Sequence, residues 1–263
     1  MKKLSVEEAK KMQLDLLDFI TNVCEKNKIR YWLEFGTLIG AVRHKGYIPW
    51  DDDIDIGMLR EDYIKFREIF NDPSKRYELH DIENDTDYNF LFAKIYDTKT
   101  VEKDPNAMKE TCLNVDLFIF DDVPESKRLQ KRIFNKRDLY RKLNNLQVLG
   151  CKKSTIQRTL LAYLLKPLFL LLPKNYFFTK FYKKMQRFKT NGNIVANLCG
   201  YSRYVFDKKD VSETVLAQFE NRLYRIPVGY DRMLKSCFGD YMVLPPIEKR
   251  CNPHAMIEIF VKE

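Results

Sequence analysis

Four aspartates stand within five consecutive positions of this chain, Asp51, Asp52, Asp53 and Asp55. Carboxylates this close repel one another at neutral pH and raise each other's pKa, so the stretch requires a cation among them. Ile54 and Ile56 alternate with Asp53 and Asp55, which is the period-two pattern of a half-buried strand. Because alternate side chains share one face of a strand, we expect the carboxylates of Asp53 and Asp55 to point in the same direction.

The spacing of the aspartates distinguishes between three kinds of cation site. An EF-hand loop that begins at Asp51 would need glycine at its sixth position, where this chain has Ile56. A zinc site would need nearby His or Cys ligands, and His44 is the candidate near the cluster. Paired carboxylates suit Mg²⁺, which completes its shell with water and phosphate oxygens. The pattern therefore predicts that Asp53 and Asp55 hold Mg²⁺, with Mn²⁺ as the alternative, for phosphate chemistry.

Asp116 is the candidate for a third carboxylate. It lies between Val115 and Leu117 in an apolar run, where an unpaired ionised carboxylate would be costly. Two explanations remain open at this point. Asp116 is a metal ligand on a strand next to the aspartate cluster, or it is a strand-end carboxylate that pairs with Lys or Arg.

Gly36 and Thr37 follow a predicted short strand at 31–35 and precede a predicted short helix at 38–42. Backbone N–H groups at a helix start, together with the Thr hydroxyl, can hold a phosphate group. The pair is not part of a Walker loop, because no Gly-Lys-Ser/Thr follows it. We expect Gly36 and Thr37 to bind phosphate near the metal.

Hydrophobic periodicity predicts a mixed α/β (α+β) fold, with a mixed sheet flanked by helices and a basic helical insertion. The predicted elements after the aspartates are a helix at 61–70, strands at 77–82, 90–96 and 113–120, a helix at 132–149, a strand pair at 219–227 and a helix at 230–239. We expect three parts: a catalytic core at 1–124, a basic helical segment at 125–190, and a C-terminal part at 191–263 that packs back on the core.

The net charge of +9 is unevenly distributed. Residues 127–189 contain 18 Lys and Arg and one acid, Asp138, so this segment carries +17 and the remainder −8. Such asymmetry indicates an anionic partner. The apolar run at 160–172 is interrupted by Lys166 and Pro167 and is too short to span a bilayer. It is either a buried helix pair or an in-plane membrane helix with basic flanks.

Nucleic acid is the other anionic partner that the basic segment could bind. RNA-binding modules interleave aromatic and basic residues, whereas the aromatic residues and leucines here form apolar blocks at 160–178. We therefore expect the anionic partner to be a membrane surface and not a nucleic acid.

Acidic residues near the N-terminus do not suit a signal peptide, and the six cysteines are scattered. These features favour a cytoplasmic protein with reduced thiols.

Three stretches resemble the LicD family, which is related to the fukutin-type phosphotransferases and has the nucleotidyltransferase fold. The stretches are GTLIGAVRHKGYIPWDDDIDI at 36–56, NVDLFIFDD at 114–122, and FGDYMVLPP at 238–246 together with His254. The resemblance implies a nucleotidyltransferase-like core at 1–124. It also implies transfer of phosphocholine or a similar phospho-alcohol from a CDP-alcohol donor, with release of CMP.

The acceptor that the resemblance implies is a sugar hydroxyl of a cell-surface glycan of the teichoic acid or lipopolysaccharide type, often lipid-linked. This agrees with a peripheral protein at the inner face of the membrane. A true nucleotidyltransferase that releases pyrophosphate would use the same aspartates, so the motif leaves that alternative open.

The resemblance assigns roles to the candidate residues. Asp53 and Asp55 would hold the metal, and Asp116 would hold a second ion or accept the hydroxyl proton. The candidate substrate-binding residues are Gly36, Thr37, Arg43, His44 and Trp50. Arg43 would neutralise developing charge, unless it forms a surface ion pair. Trp50 and Tyr47 would form an aromatic face for a quaternary ammonium group, with core packing as the alternative.

Overall fold

The computed structural model describes residues 1–105, 109–148, 167, 169, 171–186, 192–252 and 256–262. Most of the apolar run at 160–172 lies outside the described residues, and so does His254. The described part of the chain is a mixed α/β structure, which confirms the predicted fold class.

The described residues contain both helices and strands. The helices are α1 (Val6–Lys26), α2 (Phe35–Ile39), α3 (Arg60–Ile69), α4 (Lys127–Val148), α5 (Tyr176–Gln186), α6 (Lys208–Ser212) and α7 (Tyr230–Phe238). The strands are β1 (Lys2–Lys3), β2 (Trp32–Leu33), β3 (Asp55–Leu59), β4 (Tyr77–His80), β5 (Ala93–Asp97), β6 (Thr100–Lys103), β7 (Asn114–Asp122), β8 (Ile194–Asn197), β9 (Val205–Asp207), β10 (Thr214–Phe219), β11 (Arg222–Pro227) and β12 (Glu258–Val261).

The central sheet is built around the pair β3 and β7. Its main path runs β2-β3-β7-β5-β4, and β8 pairs with the end of β7 and carries β9 on its other edge. β3 and β7 are parallel, while the other pairs of this sheet are antiparallel. A second sheet has the order β1-β12-β6, and β10 and β11 form a hairpin. This parallel pair places the first residue of β3 beside the start of β7, although the two strands are far apart in the sequence.

The connection from β2 to α2 differs from the sequence prediction. The helix begins at Phe35, before Gly36, and continues as a wider π-helical turn over Gly40–His44. The strand is shorter than predicted because Phe35 has a φ of 45°, in the left-handed region that side chains rarely adopt. This reversal turns the chain directly from the sheet into the helix.

The core beneath the site is tightly packed. Trp32 on β2 is fully buried, and its ring occupies the space that a side chain at Gly57 would need: a Cβ there would lie 2.5 Å from the ring. Helix α1 begins with a capping box between Ser5 and Glu8, and it buries Leu17 fully on the same core. Burying each such large side chain contributes about 1.5–3 kcal/mol.

The described helices of the basic segment pack on the core through their apolar sides. Phe134 of α4 and Phe181 of α5 belong to the main hydrophobic core. Arg137 of α4 is fully buried, and it donates hydrogen bonds to the carbonyls of Tyr201 and Ser202. The boundaries at 124 and 190 remain predictions. Among the described helices, none is both long enough and apolar enough to cross a bilayer.

Candidate functional site

Asp55 and Asp116 lie opposite one another on the parallel strands β3 and β7. The backbone N–H of Asp116 donates to the carbonyl of Ile54 at 2.9 Å, which fixes the register at the beginning of the pair. Two candidate residues that are 61 positions apart in the sequence are therefore neighbours in the sheet. Asp53 lies two residues before Asp55, on the segment that leads into β3.

The start of α2 packs against the aspartate segment. The backbone N–H of Asp55 donates to Oγ1 of Thr37 at 2.9 Å, and Thr37 is buried. A Cβ at Gly36 would lie 2.7 Å from Oδ2 of Asp51, so only glycine allows this close approach without a shift of that carboxylate. Gly36 and Thr37 thus hold the aspartate segment in place. Their predicted contact with phosphate remains a prediction.

Negative charge is concentrated around Asp55. Burial raises the pKa of Asp55 well above its usual range, and the charges of Asp53, Asp116 and Asp51 raise it further. The ammonium group of Lys94 opposes this effect. Four carboxylates therefore act on the same small volume, where a divalent cation would relieve their repulsion.

Lys94 on β5 is a site residue that the sequence analysis missed. Its Nζ lies 2.6 Å from Oδ1 of Asp116 and 3.0 Å from Oδ1 of Asn114. The rings of Phe90 and Phe92 lie 5.3 and 5.5 Å from the same ammonium. The signal in the sequence was a single lysine between the buried residues of a predicted strand. Asp116 therefore has the lysine partner that was one of the two explanations for its position.

The carboxylates suit a metal ion that a substrate helps to hold. Within the described ranges, no group of three or more His, Cys, Asp or Glu side chains is arranged as a complete metal site. Mg²⁺ is commonly held by one or two carboxylates together with substrate phosphates and water, so a full protein cage is not required. The assignment of this role to Asp53 and Asp55 remains a prediction.

Arg43, His44 and Trp50 lie together beside the aspartates. Nε of Arg43 donates to Nε2 of His44 at 2.9 Å, and the His44 and Trp50 rings meet edge to face with centroids 6.3 Å apart. Burial lowers the pKa of His44, and the charge of Arg43 lowers it further. Arg43 also donates to the carbonyl of Tyr241. The C-terminal motif at 238–246 thus contacts the first motif.

Tyr47 and Trp50, the candidates for an aromatic face, have different surroundings in the structure. Tyr47 is buried against Phe219, with ring centroids 5.0 Å apart, and Nζ of Lys10 lies 4.4 Å from the Tyr47 ring centroid. The guanidinium of Arg250 lies over the Trp50 ring, 5.5 Å from its centroid. Core packing is therefore the correct alternative for Tyr47, because its ring fills the space between α1 and the hairpin.

Asp52 contacts the C-terminal segment. Nδ2 of Asn252 donates to Oδ2 of Asp52 at 2.9 Å. Asp52 also borders a cavity of about 690 Å³ between the N-terminal segment and the sheet of β6 and β12. Lys10 and Lys103 are among the basic residues that line it. The volume is within the range of small-molecule sites.

Glu34 is a second residue that the sequence analysis missed. It is 2% exposed, its carboxylate accepts a hydrogen bond from Nε1 of Trp32, and its backbone N–H donates to the carbonyl of Asp55 at 2.9 Å. Burial raises the pKa of Glu34 to about 7, against hydrogen bonds that lower it. An acid in the middle of a predicted strand was the available signal. The backbone hydrogen bond joins Glu34 to the segment that carries Asp55.

Comparison with known proteins places the motifs in a family. Residues 28–150 match the model "LicD/FKTN/FKRP, nucleotidyltransferase domain". The chain is similar to the lipopolysaccharide cholinephosphotransferase LicD of Haemophilus influenzae, with 32% identity over 99% of this chain and 100% of that protein. It is also similar to the ribitol 5-phosphate transferase FKRP of Homo sapiens, with 50% identity over 17% of this chain and 9% of that protein. The nearly full-length match shows that this chain belongs to the LicD family.

Proposed function

We propose that this protein is a phosphotransferase that moves phosphocholine, or a similar phospho-alcohol, onto a sugar hydroxyl of a lipopolysaccharide-type glycan. The supporting observation is the pairing of Asp55 with Asp116, next to Asp53, inside the region that matches the family model. The relatives named for cholinephosphate and ribitol 5-phosphate transfer support this class of reaction. The donor that we propose is a CDP-alcohol.

In the proposed reaction, the glycan hydroxyl oxygen attacks the phosphorus that carries the alcohol. A new P–O bond forms to the sugar, the P–O bond to CMP breaks, and CMP leaves with the bond electrons. Asp116 would accept the hydroxyl proton or help to hold a second ion. Lys94 keeps a positive charge against this carboxylate and thereby fixes its position.

We propose that Asp53 and Asp55 hold Mg²⁺ or Mn²⁺ when the donor binds. The ion would supply positive charge to the phosphate oxygens of the donor. Gly36 allows Asp51 to approach α2, and Thr37 holds the backbone of Asp55. These contacts give the two carboxylates a fixed position before the substrate arrives, which favours catalysis by positioning.

The acceptor's location supports a second part of the proposal. A lipid-linked glycan presents its hydroxyls at a membrane surface, and residues 127–189 carry a net charge of +17. We therefore propose that the protein attaches to an anionic membrane surface through this segment. The inner face of the membrane is the surface where a CDP-activated donor would be available.

The test is product analysis with the purified full chain and Mg²⁺. The protein is incubated separately with CDP-choline, CDP-ethanolamine, CDP-glycerol and CDP-ribitol, and with CTP, in the presence of a glycan acceptor. Release of CMP from one CDP-alcohol supports the proposal. Release of pyrophosphate from CTP, without CMP from any donor, would instead establish the nucleotidyltransferase alternative.

A further inference from the structure

Two arginines at the edge of the site have no carboxylate partner within the described residues. Arg43 lies at the end of the turn that follows α2, and Arg250 lies in the C-terminal segment. Nε of Arg250 donates to the carbonyl of Pro245 at 2.8 Å, and Arg43 donates to the carbonyl of Tyr241 and to the ring of His44. These are bonds to neutral acceptors, so both positive charges remain uncompensated by this part of the protein.

The Trp50 ring connects the two arginines: the Arg250 guanidinium lies 5.5 Å from its centroid, and the His44 ring, which is bonded to Arg43, lies 6.3 Å from it. Burial lowers the pKa of Arg43, and the positive charge of Arg250 lowers it further. Neighbouring like charges raise the free energy of the folded protein unless an anion lies between or beside them. Both arginines are half-buried, so part of each side chain remains open to solvent. A bound anion would remove this electrostatic repulsion between the two arginines.

Local contacts hold both side chains in place. Arg43, His44, Trp50 and Arg250 form one cluster around the Trp50 ring. His44, which is bonded to Arg43, packs edge to face with this ring, and the Arg250 guanidinium lies over it. The main-chain carbonyls of the segment at 238–250 fix one nitrogen of each guanidinium. Nε of Arg43 is also bonded, to His44, so Nη2 of Arg43 and the two Nη atoms of Arg250 are the nitrogens without a hydrogen-bond partner within the described residues. Guanidinium groups held in this way lose little conformational freedom when they bind a ligand.

The cluster is joined to the aspartate segment at both ends. Trp50 directly precedes Asp51, and Asn252, two residues after Arg250, donates to Asp52 at 2.9 Å. A phosphate bound by the arginines would therefore lie beside the carboxylates that are proposed to hold the metal. The fork of N–H donors on Arg matches the oxygen atoms of phosphate in pairs.

We propose that Arg43 and Arg250 form a clamp that binds a phosphate group of the substrate next to the aspartates. The identity of the substrate rests on the proposed function, but the ability to bind phosphate does not. The phosphate belongs either to the nucleotide donor or to a phosphorylated sugar of the acceptor. Tyr241 and Pro245 act as positioning residues through their carbonyls, which gives the C-terminal motif a role in substrate binding.

The probe for the clamp is inorganic pyrophosphate, titrated into the full chain by calorimetry at low salt with EDTA present. EDTA removes divalent cations, so the aspartates repel the probe and the arginines are tested alone. We expect Arg43→Gln and Arg250→Gln each to weaken binding about tenfold or more, while Arg43→Lys gives an intermediate loss because it keeps charge without the fork. Thermal melts establish that each variant is folded.

Lys249→Gln is the matched control, because Lys249 is the exposed neighbour of Arg250 and the change removes the same charge. We expect its affinity for pyrophosphate to stay within about twofold of the original. Equal binding by the original protein and folded Arg250→Gln, or equal loss in Lys249→Gln, would overturn the clamp. So would the absence of pyrophosphate binding to the original protein.

Competition distinguishes the two sources of phosphate. Displacement of pyrophosphate by CMP assigns the clamp to the donor, and displacement by glucose 6-phosphate assigns it to a phosphorylated acceptor. Displacement by neither would contradict a substrate site. Arginine-dependent binding in a protein that releases no CMP from any donor would refute the proposed function while the clamp stands.

Discussion

Asp55 on β3 and Asp116 on β7 are direct partners across a parallel strand pair, and Lys94 on the next strand, β5, pairs with Asp116. Three neighbouring strands thus present two carboxylates and one ammonium. The charges do not balance, because Asp51 and Asp53 add further negative charge near Asp55. This excess of negative charge is the feature on which the proposed binding of a divalent cation depends.

Asp53→Asn and Asp55→Asn should each abolish transfer and leave the fold intact. The amide keeps the shape of the side chain but removes an anionic ligand, and it relieves repulsion within the cluster. Without metal, the melting temperature should stay level or rise; a gain of about 1 kcal/mol corresponds to about 2–4 °C. CMP release with saturating Mg²⁺ and thermal melts in EDTA provide the two measurements. Near-normal turnover in either variant would contradict the metal assignment.

Lys94→Met should destabilise the protein in the absence of metal. It leaves Asp116 next to Asp55 without its ammonium partner, which costs about 1–3 kcal/mol for a partly exposed pair. The double variant Lys94→Met/Asp116→Leu should recover most of this loss. Urea unfolding in EDTA measures both effects, and Lys109→Met, at a highly exposed lysine, is the control. A loss that the second substitution does not recover would show that Lys94 acts through packing.

Local patterns in the sequence predicted much of the fold. The predicted helix at 61–70 corresponds to α3, and the predicted strands at 77–82, 90–96 and 113–120 correspond to β4, β5 and β7. Their apolar periodicity is strong because one side of each element faces the same core. The hairpin predicted at 219–227 is also present, but its first strand begins at Thr214, since exposed residues there weaken the apolar signal.

Contacts between distant segments were not predictable from one sequence. The sequence suggested that Asp116 lies on a strand near the aspartates, but it did not show that β3 pairs with β7. Lys94 was missed because it reaches the site from β5, which pairs with β7. Asn252 contacts Asp52, and Arg250 contacts Trp50, because the C-terminal segment folds back onto a motif 200 positions earlier in the sequence. Periodicity describes which side of an element is apolar, but it does not say which distant side chain will meet it.

Asp52→Asn should weaken Mg²⁺ binding much less than Asp53→Asn. Asp52 alternates with Asp53 along an extended segment, and its carboxylate accepts a hydrogen bond from Asn252. The amide oxygen of the variant can accept the same bond, so the segment should keep its position. Titration of Mg²⁺ in the presence of donor, followed by CMP release, gives the apparent affinities. Equal losses in the two variants would contradict the argument from strand faces.

Glu34→Gln should remove a pH dependence of stability. The pKa of Glu34 is raised from 4.5 to about 7 by burial, so the folded protein binds this proton more tightly than the unfolded chain. The associated stability is fully present below pH 4.5 and is lost as the pH rises through 7. Relative to the variant, the original protein should lose up to about 3 kcal/mol between pH 4 and pH 8.

Urea unfolding at several pH values measures this difference. Glu68→Gln is the control, because Glu68 is exposed on α3 and its loss removes the same charge. The control should keep the pH profile of the original protein. Parallel profiles for the original protein and Glu34→Gln would show that the buried carboxyl does not titrate in this range.

Attachment to an anionic membrane should depend on lysines that α4 and α5 bring together. Lys136 and Lys184 line the same pocket between α4 and α5, and the proximity of Lys136, together with burial, lowers the pKa of Lys184. Two ammonium groups so close would be stabilised by a lipid phosphate. Each lysine near an anionic surface contributes about 1 kcal/mol, so Lys136→Gln/Lys184→Gln should weaken vesicle binding about tenfold to thirtyfold.

Sedimentation with vesicles that contain phosphatidylglycerol measures this binding, at low and high salt. Lys26→Gln/Lys65→Gln removes the same charge from exposed positions on α1 and α3, and it should bind vesicles like the original protein. Transfer to a lipid-linked acceptor should slow in the α4 and α5 variant, while CMP release in solution should not change, because the aspartates are untouched. Binding that is absent, or insensitive to both salt and these lysines, would mean that the basic helices serve the fold rather than the membrane.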